Sequence, residues 1–289
     1  MIYDEPKFLP GGDRYVLIEF GNEMNLELNF IAQGLAARIV ADKTRGIVET
    51  APCFASMLVH YEPREISYDD VVKELKALIA SLGSSDDIEL DSRLFLFETM
   101  YLDPWTRQCI EDYSEKITPK EYDPDMVARL NGLADRDQLV RVHSSSEYWV
   151  ASLGFWPGLP FLQPLDPRAM ITVPKYNPPR TWTPQGTVGM GGSASAIYPV
   201  NTPGGYQLLG RTPVPIWDTE KRFDAFGGDI VLFQPGDRIK FVPVTQEGYE
   251  QAEARIEAGT YLYNVVEYQR FSVHNYRHWV SKLDQSQRF

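Results

Sequence analysis

The sequence predicts an α+β protein in two parts, a small α/β domain of ferredoxin-like order over residues 1–100 and an all-β barrel or sandwich from residue 147 to 289. Three observations predict it. Strand and helix signals alternate through the first part. The segment 101–146 is helical in pattern and serves as a connection. From Glu147 onward, short β-type runs are broken by Pro and Gly at close intervals.

Tyr15 to Phe20 (YVLIEF) follows the turn Gly11-Gly12 and reads as a strand. Leu28, Ile31, Leu35 and Ile39 then recur at helical spacing, so a helix with one buried face follows Asn25. Ile47 to Thr50 and Ser56 to Tyr61 are strand candidates split by Ala51-Pro52. In the second helix Val71, Leu75, Leu78 and Leu82 form the apolar stripe. Asp69 and Asp70 sit near its positive end, and Gly83 is its stop. Arg93 to Glu98 (RLFLFE) completes a βαββαβ order as the last strand. In the connection, Asp103-Pro104 and Asp123-Pro124 each place a capping carboxylate before a proline, a favoured helix start. The tail from Glu253 to Trp279 reads as partly helical and could pack on either part.

The 289 residues carry a net charge of −12, which argues against nucleic acid or an anionic membrane as partner. Hydrophobic content of 43% is that of a folded globular chain. There is no signal-peptide pattern and no apolar run near the ~20 residues of a membrane span. Cys53 and Cys109 are too few for a disulfide framework and suit a reducing compartment, so a cytoplasmic location is expected. Both read as inert buried thiols.

The sequence lacks a GxSxG elbow, HExxH, CxxC and a phosphate loop. His274 and His278 stand four apart, but no acidic or cysteine partner lies beside them, so no metal is expected. Gly189-Met190-Gly191-Gly192-Ser193 is open to two readings: backbone amides turned toward an anion, or a barrel corner that needs glycine. Spacing alone favours the corner. Gly154 to Phe161 (GFWPGLPF) likewise reads as a pocket wall or as a buried Pro-rich loop. Density is the stronger signal. Lys175, Tyr176, Asn177, Arg180, Gln185, Ser193, Ser195, Tyr198, Asn201, Gln207 and Arg211 crowd one Pro- and Gly-rich stretch. Such loops are more often binding sites than packing, and here the ligand would be polar, anionic or amide-bearing. Arg180 and Arg211 are each capable of clamping a carboxylate.

Several blocks carry a family resemblance: LDPR (Leu165 to Arg168), KYNPPRTWTP (Lys175 to Pro184), VGMGG (Val188 to Gly192), IYP (Ile197 to Pro199) and PGGYQLLGRT (Pro203 to Thr212). DPDMVARLNGL (Asp123 to Leu133), PGDRIKF (Pro235 to Phe241) and FSVHNY (Phe271 to Tyr276) extend it over most of the chain. The chain resembles the carboxyltransferase domain of biotin-dependent urea carboxylase. More broadly it resembles the allophanate hydrolase subunit 1 family, which includes the 5-oxoprolinase B-type subunit and sporulation kinase inhibitor proteins.

The resemblance implies a cyclophilin-like β-barrel in the second part. It implies a heteromeric carboxyltransferase that moves CO2 from carboxybiotin to the nitrogen of a urea-like, lactam or other amide substrate. A homologous second subunit, allophanate hydrolase subunit 2-like, would complete the site. Biotin would ride on a separate biotin carboxylase/carrier subunit, and ATP would be used by a partner. Two other family activities remain open: an ATP-dependent 5-oxoprolinase-like lactamase, or a non-catalytic regulator of a kinase.

Carried over by motif, Arg180 would contact a carboxylate or ureido oxygen and Gln207 would hydrogen-bond the amide. Lys175 and Tyr198 would handle protons or charge, and the amides around Gly191, Gly192 and Ser193 would form an oxyanion nest. Phe155, Trp156, Tyr176, Asn177, Gly205 and Arg211 complete the implied substrate site. One departure stands out. Urea carboxylases carry an acidic GDVYLG-type sequence where this chain has Gly154-Phe155-Trp156-Pro157-Gly158, closer to the GFxPGFPYL of the 5-oxoprolinase branch. An apolar residue there implies a substrate larger or less polar than urea.

Overall fold

The computed structural model describes the backbone of residues 1–289 and every side chain except those of Glu267, Tyr268 and Gln269. The chain forms two compact units, one of Met1–Ser92 with Tyr268–Leu283, the other of Arg93–Glu267 with Asp284–Phe289. Each has its own sheet, so the architecture is mixed α/β with two sheets.

In the first unit, β1 (Ile2–Gly11), β2 (Tyr15–Gly21), β3 (Ile47–Pro52) and β4 (Ser56–Tyr61) form an antiparallel sheet in the order β1-β2-β4-β3. Two helices cover one face. The Asn25 side chain caps α1 (Leu26–Asp42) by accepting from the Glu27 amide, and Ser67 caps α2 (Tyr68–Ser81) through Asp70. Leu28, Ala32, Leu35 and Ile39 of α1 and Val71, Leu75 and Leu78 of α2 close over Val16, Ile18, Met57 and Val59. Each Val, Leu, Ile or Met among them contributes about 1.5–3 kcal/mol when fully buried. The C-terminal helix of the chain also belongs to this unit, where Arg277 pairs with Glu27 and Asp86.

The edge strand differs from expectation. Ile2–Gly11 carries Pro6 and Pro10, which argue against a strand, yet prolines are tolerated at an edge and the register breaks between Ile2 and Lys7. Arg93 to Glu98 does not close this sheet. It lies in β5 (Glu89–Tyr101), which pairs with strands of the second unit, and Phe95 and Phe97 are buried in that core. Alternation of period two places residues on faces but does not say which sheet a strand joins.

After β5 come α3 (Pro104–Lys116), α4 (Asp123–Leu130) and α5 (Arg136–Ser145). β6 (Glu147–Leu153), β7 (Pro160–Pro164), β8 (Thr187–Gly191), β9 (Ala194–Ile197) and β10 (Gln207–Arg211) follow. The chain ends with β11 (Arg238–Pro243), α6 (Gln246–Glu257), β12 (Asn264–Ser272) and α7 (Val273–Ser281). The strand order β10-β8-β9-β7-β6-β11-β5 closes on itself because β10 also pairs with β5, and β12 adds beside β5. At the closure a Cβ on Gly210 would stand 2.7 Å from the Met100 carbonyl oxygen, so only glycine lets β10 come this near. Phe95, Tyr148, Leu162, Ile197, Phe233 and Phe241 fill the interior. The connections on either side of the β8–β9 hairpin are bridged to each other at Arg180↔Gly204, and the first also bridges the hairpin turn at Val173↔Gly192. No helix among the described residues is long and apolar enough to cross a membrane.

Candidate functional site

The GFWPGLPF segment, strand β9 and the connections on either side of the β8–β9 hairpin meet at one cavity of about 120 Å³. Phe155, Leu159, Phe161, Lys175, Ala196, Tyr198, Gly205 and Tyr206 line it. The hairpin turn between β6 and β7 supplies the first two. It is tight, with the Gly154 amide donating to the Leu159 carbonyl at 3.1 Å and Phe155 at φ 68°, a left-handed conformation rare for a bulky residue. Phe155 remains 65% exposed, edge-on to Tyr198 at 6.5 Å between ring centroids.

Lys175 is exposed, and its Nζ lies 5.3 Å from the Tyr206 ring centroid. That approach needs Gly191, where a Cβ would fall 2.6 Å from Tyr206 Cδ1 and 3.0 Å from Lys175 Cγ. A Cβ on Gly204 would meet the Tyr198 hydroxyl at 2.5 Å. The glycines of these motifs therefore make room for aromatic rings. Gly192, at φ 63°, sits in the β8–β9 hairpin turn, and its amide donates to the Val173 carbonyl at 2.8 Å. That amide is thus spent on the backbone of the neighbouring connection. Ser193 occupies the same turn, half-buried.

Behind the cavity wall the polarity is dense and internally paired. Arg180 is 2% exposed. It donates to the Tyr206 carbonyl at 2.6 Å and to Thr183 Oγ1 at 3.2 and 3.3 Å, while its guanidinium carbon lies 4.2 Å from the Tyr176 ring centroid. Gln207 donates to the Pro174 carbonyl and accepts from Lys120 Nζ, both at 2.7 Å. Neither side chain lines the cavity, so the direct ligand contacts expected of them give way to a wall-holding arrangement.

Asp123 does not cap α4, because it occupies the first helical position and Tyr122 the cap. Its buried carboxylate turns inward and accepts from Tyr176 Oη and the Leu208 amide, each at 2.7 Å, and from Lys120. Lys120 Nζ also lies 3.6 Å from the Tyr176 ring centroid. Asp103, by contrast, caps α3 as expected, accepting from the Thr106 amide at 2.9 Å.

Arg211 stacks on Trp105 and Tyr249, donates to the Gln185 carbonyl, and does not line the cavity. Asn177 is exposed, before the cis Pro178. Trp156 packs against the Leu159–Tyr198–Tyr206 cluster and lines a shallow hollow of its own turn. Its Nε1 is buried with no partner among the described residues.

Burial sets the titration of these groups. It pushes the Tyr206 phenol up to about 12, with Tyr198 adding to the shift. It raises Tyr198 as well, against the opposing charge of Arg180. Both are therefore protonated hydrogen-bond donors at neutral pH. Burial lowers Lys120, outweighing the opposing pull of Asp123. Cys109 is pushed up to about 11 by burial and donates to the Trp182 carbonyl at 3.3 Å, an inert thiol. Lys120, Asp123 and Tyr206 are the residues that sequence reasoning missed. Tyr206 stood inside the PGGYQLLGRT block, whereas nothing local marked the long-range pairing of Lys120 and Asp123.

Known proteins share this sequence and fold. A family model described as the carboxyltransferase domain, subdomain C and D, matches residues 6–226. The urea amidolyase of Saccharomyces cerevisiae is 33% identical over 277 residues, which are 93% of this chain and 15% of that protein. The B-type subunit of the Bacillus subtilis 5-oxoprolinase is 30% identical over 250 residues, covering 82% of this chain and 92% of that one. The crystal structure of the Kluyveromyces lactis urea amidolyase superimposes with a TM-score of 0.84 at 30% identity, over 96% of this chain and 17% of that chain. The chain thus spans about one-sixth of the amidolyases it matches.

Proposed function

This chain belongs to the carboxyltransferase-domain family, subdomains C and D, and on that premise we propose that it is one subunit of a heteromeric carboxyltransferase acting on an amide nitrogen. The observation that carries the reading is the cavity itself, which sets one exposed lysine, Lys175, and two protonated phenols, Tyr198 and Tyr206, against apolar walls. Carboxyl transfer needs a carboxylate held, developing charge stabilised and a substrate proton removed. Lys175 neutralises the carboxylate, and Tyr198 donates to the oxygen on which charge develops. Arg180 and Lys120 stand behind the wall against the single carboxylate of Asp123, a local excess of positive charge that favours an anionic ligand.

The residues suit carboxybiotin, whose flat ureido head matches the rings of Phe155, Phe161 and Tyr206 and whose carboxylate matches Lys175. When bound, that group supplies an activated carboxyl, and it arrives on a separate carrier while ATP is consumed by a partner. The cavity lining holds no carboxylate or imidazole among its residues, so the proton acceptor falls to a homologous second subunit. Phe155 at the mouth selects an amide less polar than urea. We read the two units as the protein's two domains, the first a rearranged ferredoxin-like sheet and the second a cyclophilin-like barrel.

The chain's match to 92% of a 5-oxoprolinase B-type subunit favours a second reading, an ATP-dependent lactamase. Purification with native partners separates the two. Carboxyl transfer predicts bicarbonate incorporation into a substituted amide that avidin abolishes. ATP-dependent lactam opening unaffected by avidin would replace the first reading with the second.

A further inference from the structure

Lys175 is the only lysine at the cavity among the described residues, and the chain on either side of it is anchored to a buried ion pair. On one side, the Pro174 carbonyl accepts from Gln207 Nε2 at 2.7 Å, and Gln207 Oε1 accepts from Lys120 at 2.7 Å. On the other, Tyr176 Oη donates to Asp123 at 2.7 Å, its ring lies against Lys120 Nζ at 3.6 Å, and its amide donates to the Gly205 carbonyl at 2.7 Å. Asp123 also accepts from the Leu208 amide at 2.7 Å, which joins α4 to β10 immediately after Gln207. We propose that Lys120 and Asp123, neither of which lines the cavity, are positioning residues that fix both neighbours of Lys175 and thereby hold its ammonium over Tyr206.

The physical argument is one of rigidity. A lysine side chain carries more rotamer entropy than most, and an exposed one on a mobile loop spreads its charge over many positions. Clamping residues 174 and 176 removes the backbone contribution to that spread. The ion pair is largely shielded from water, with side-chain exposures of 13% and 0%, so solvent loosens its geometry little. The importance of this positioning for turnover rests on the carboxyltransferase reading; the positioning itself does not.

The test uses the full chain labelled with [ε-13C]lysine, with the Lys175 signal assigned by its loss in Lys175→Arg. The native protein shows a nuclear Overhauser contact between the Lys175 ε-methylene and the Tyr206 ring. Lys120→Met and the milder Tyr176→Phe, which keeps the ring and removes only its hydroxyl, lose that contact. Arg93→Met, which breaks the separate buried pair with Asp237 in the same unit, keeps it. In the partnered enzyme the two network variants lower kcat about 10- to 100-fold with little change in KM. Retention of the contact in both folded variants overturns the proposal, whereas its loss with an unchanged kcat upholds the positioning and overturns its importance for turnover. Absence of carboxyl transfer in the native complex would sink the functional reading instead, and the contact would still decide the positioning.

Discussion

The cavity and the polar network behind its wall meet along the stretch 175–207 and follow opposite rules. In front are Phe155, Leu159, Phe161, Ala196, Tyr198 and Tyr206, with Lys175 as the single charge. Behind are Lys120, Asp123, Tyr176, Arg180 and Gln207, hydrogen-bonded to one another or to backbone carbonyls and amides. Polar side chains in a site-bearing loop are thus of two kinds. A few meet the ligand, while most satisfy the buried backbone of an irregular segment that has little sheet to pair with.

The contrast is broken most severely from behind. Asp123→Ala strips the acceptor from Tyr176, from the Leu208 amide and from buried Lys120, and should destabilise the second unit by about 3–5 kcal/mol. Denaturant unfolding measures it, and a loss below ~1 kcal/mol would mean that the network is not a structural keystone. Gly191→Ala acts on the wall between the two regions. Its methyl would meet Tyr206 Cδ1 at 2.6 Å, so the ring must swing and stability should fall by about 1–3 kcal/mol, visible as a lower Tm and a reshaped cavity in a crystal structure.

A closed polar chain on the far side of β9 gives the same contrast a pH dependence. Ala196 faces the cavity while its neighbour Ser195 points away and meets His143 Nε2 at 3.0 Å, with Tyr101 Oη at 2.7 Å from Nδ1. Burial depresses His143 from its ordinary 6.5 to about 3, so the folded protein holds it neutral. Between those values the unfolded chain binds the extra proton. Stability is therefore fully present above pH 6.5 and falls toward pH 3, by up to ~1.4 kcal/mol per pH unit from this group. His143→Gln should flatten that slope in acid unfolding curves; an unaltered slope would contradict the assignment.

The smallest effect on stability lies at the mouth of the cavity. Phe155→Gly relieves the left-handed backbone at φ 68° and should stabilise the protein by about 1 kcal/mol. It should also erode discrimination against urea. Loss of stability in this variant would show that the exposed ring contributes more to packing than its conformation costs.

Much of this plan was legible in the sequence because it is local. The stripes of α1 and α2, the helix start after Asn25, the cap at Asp103, and the crowding of residues 175–211 all follow from spacing and residue type. What escaped depends on distant partners. Ile2–Gly11 is a strand because an edge position tolerates its prolines. Arg93 to Glu98 joins the second sheet because Phe95 and Phe97 find their neighbours there. Arg180 and Gln207 were expected to meet a ligand, yet their partners are the Tyr206 and Pro174 carbonyls and Lys120, which no pattern of residue types announces. Phe155, Lys175, Tyr198 and Gly205, by contrast, do converge on the cavity.

On the proposed function Lys175 meets the ligand, and on the further inference the network positions Lys175. The decisive experiment compares native and Lys175→Ala complexes for avidin-sensitive carboxyl transfer to a substituted amide, alongside their unfolding free energies. The expected result is a rate at least ~100-fold lower with stability within about 0.5 kcal/mol of native. A variant that transfers carboxyl groups at the native rate would overturn this division of labour.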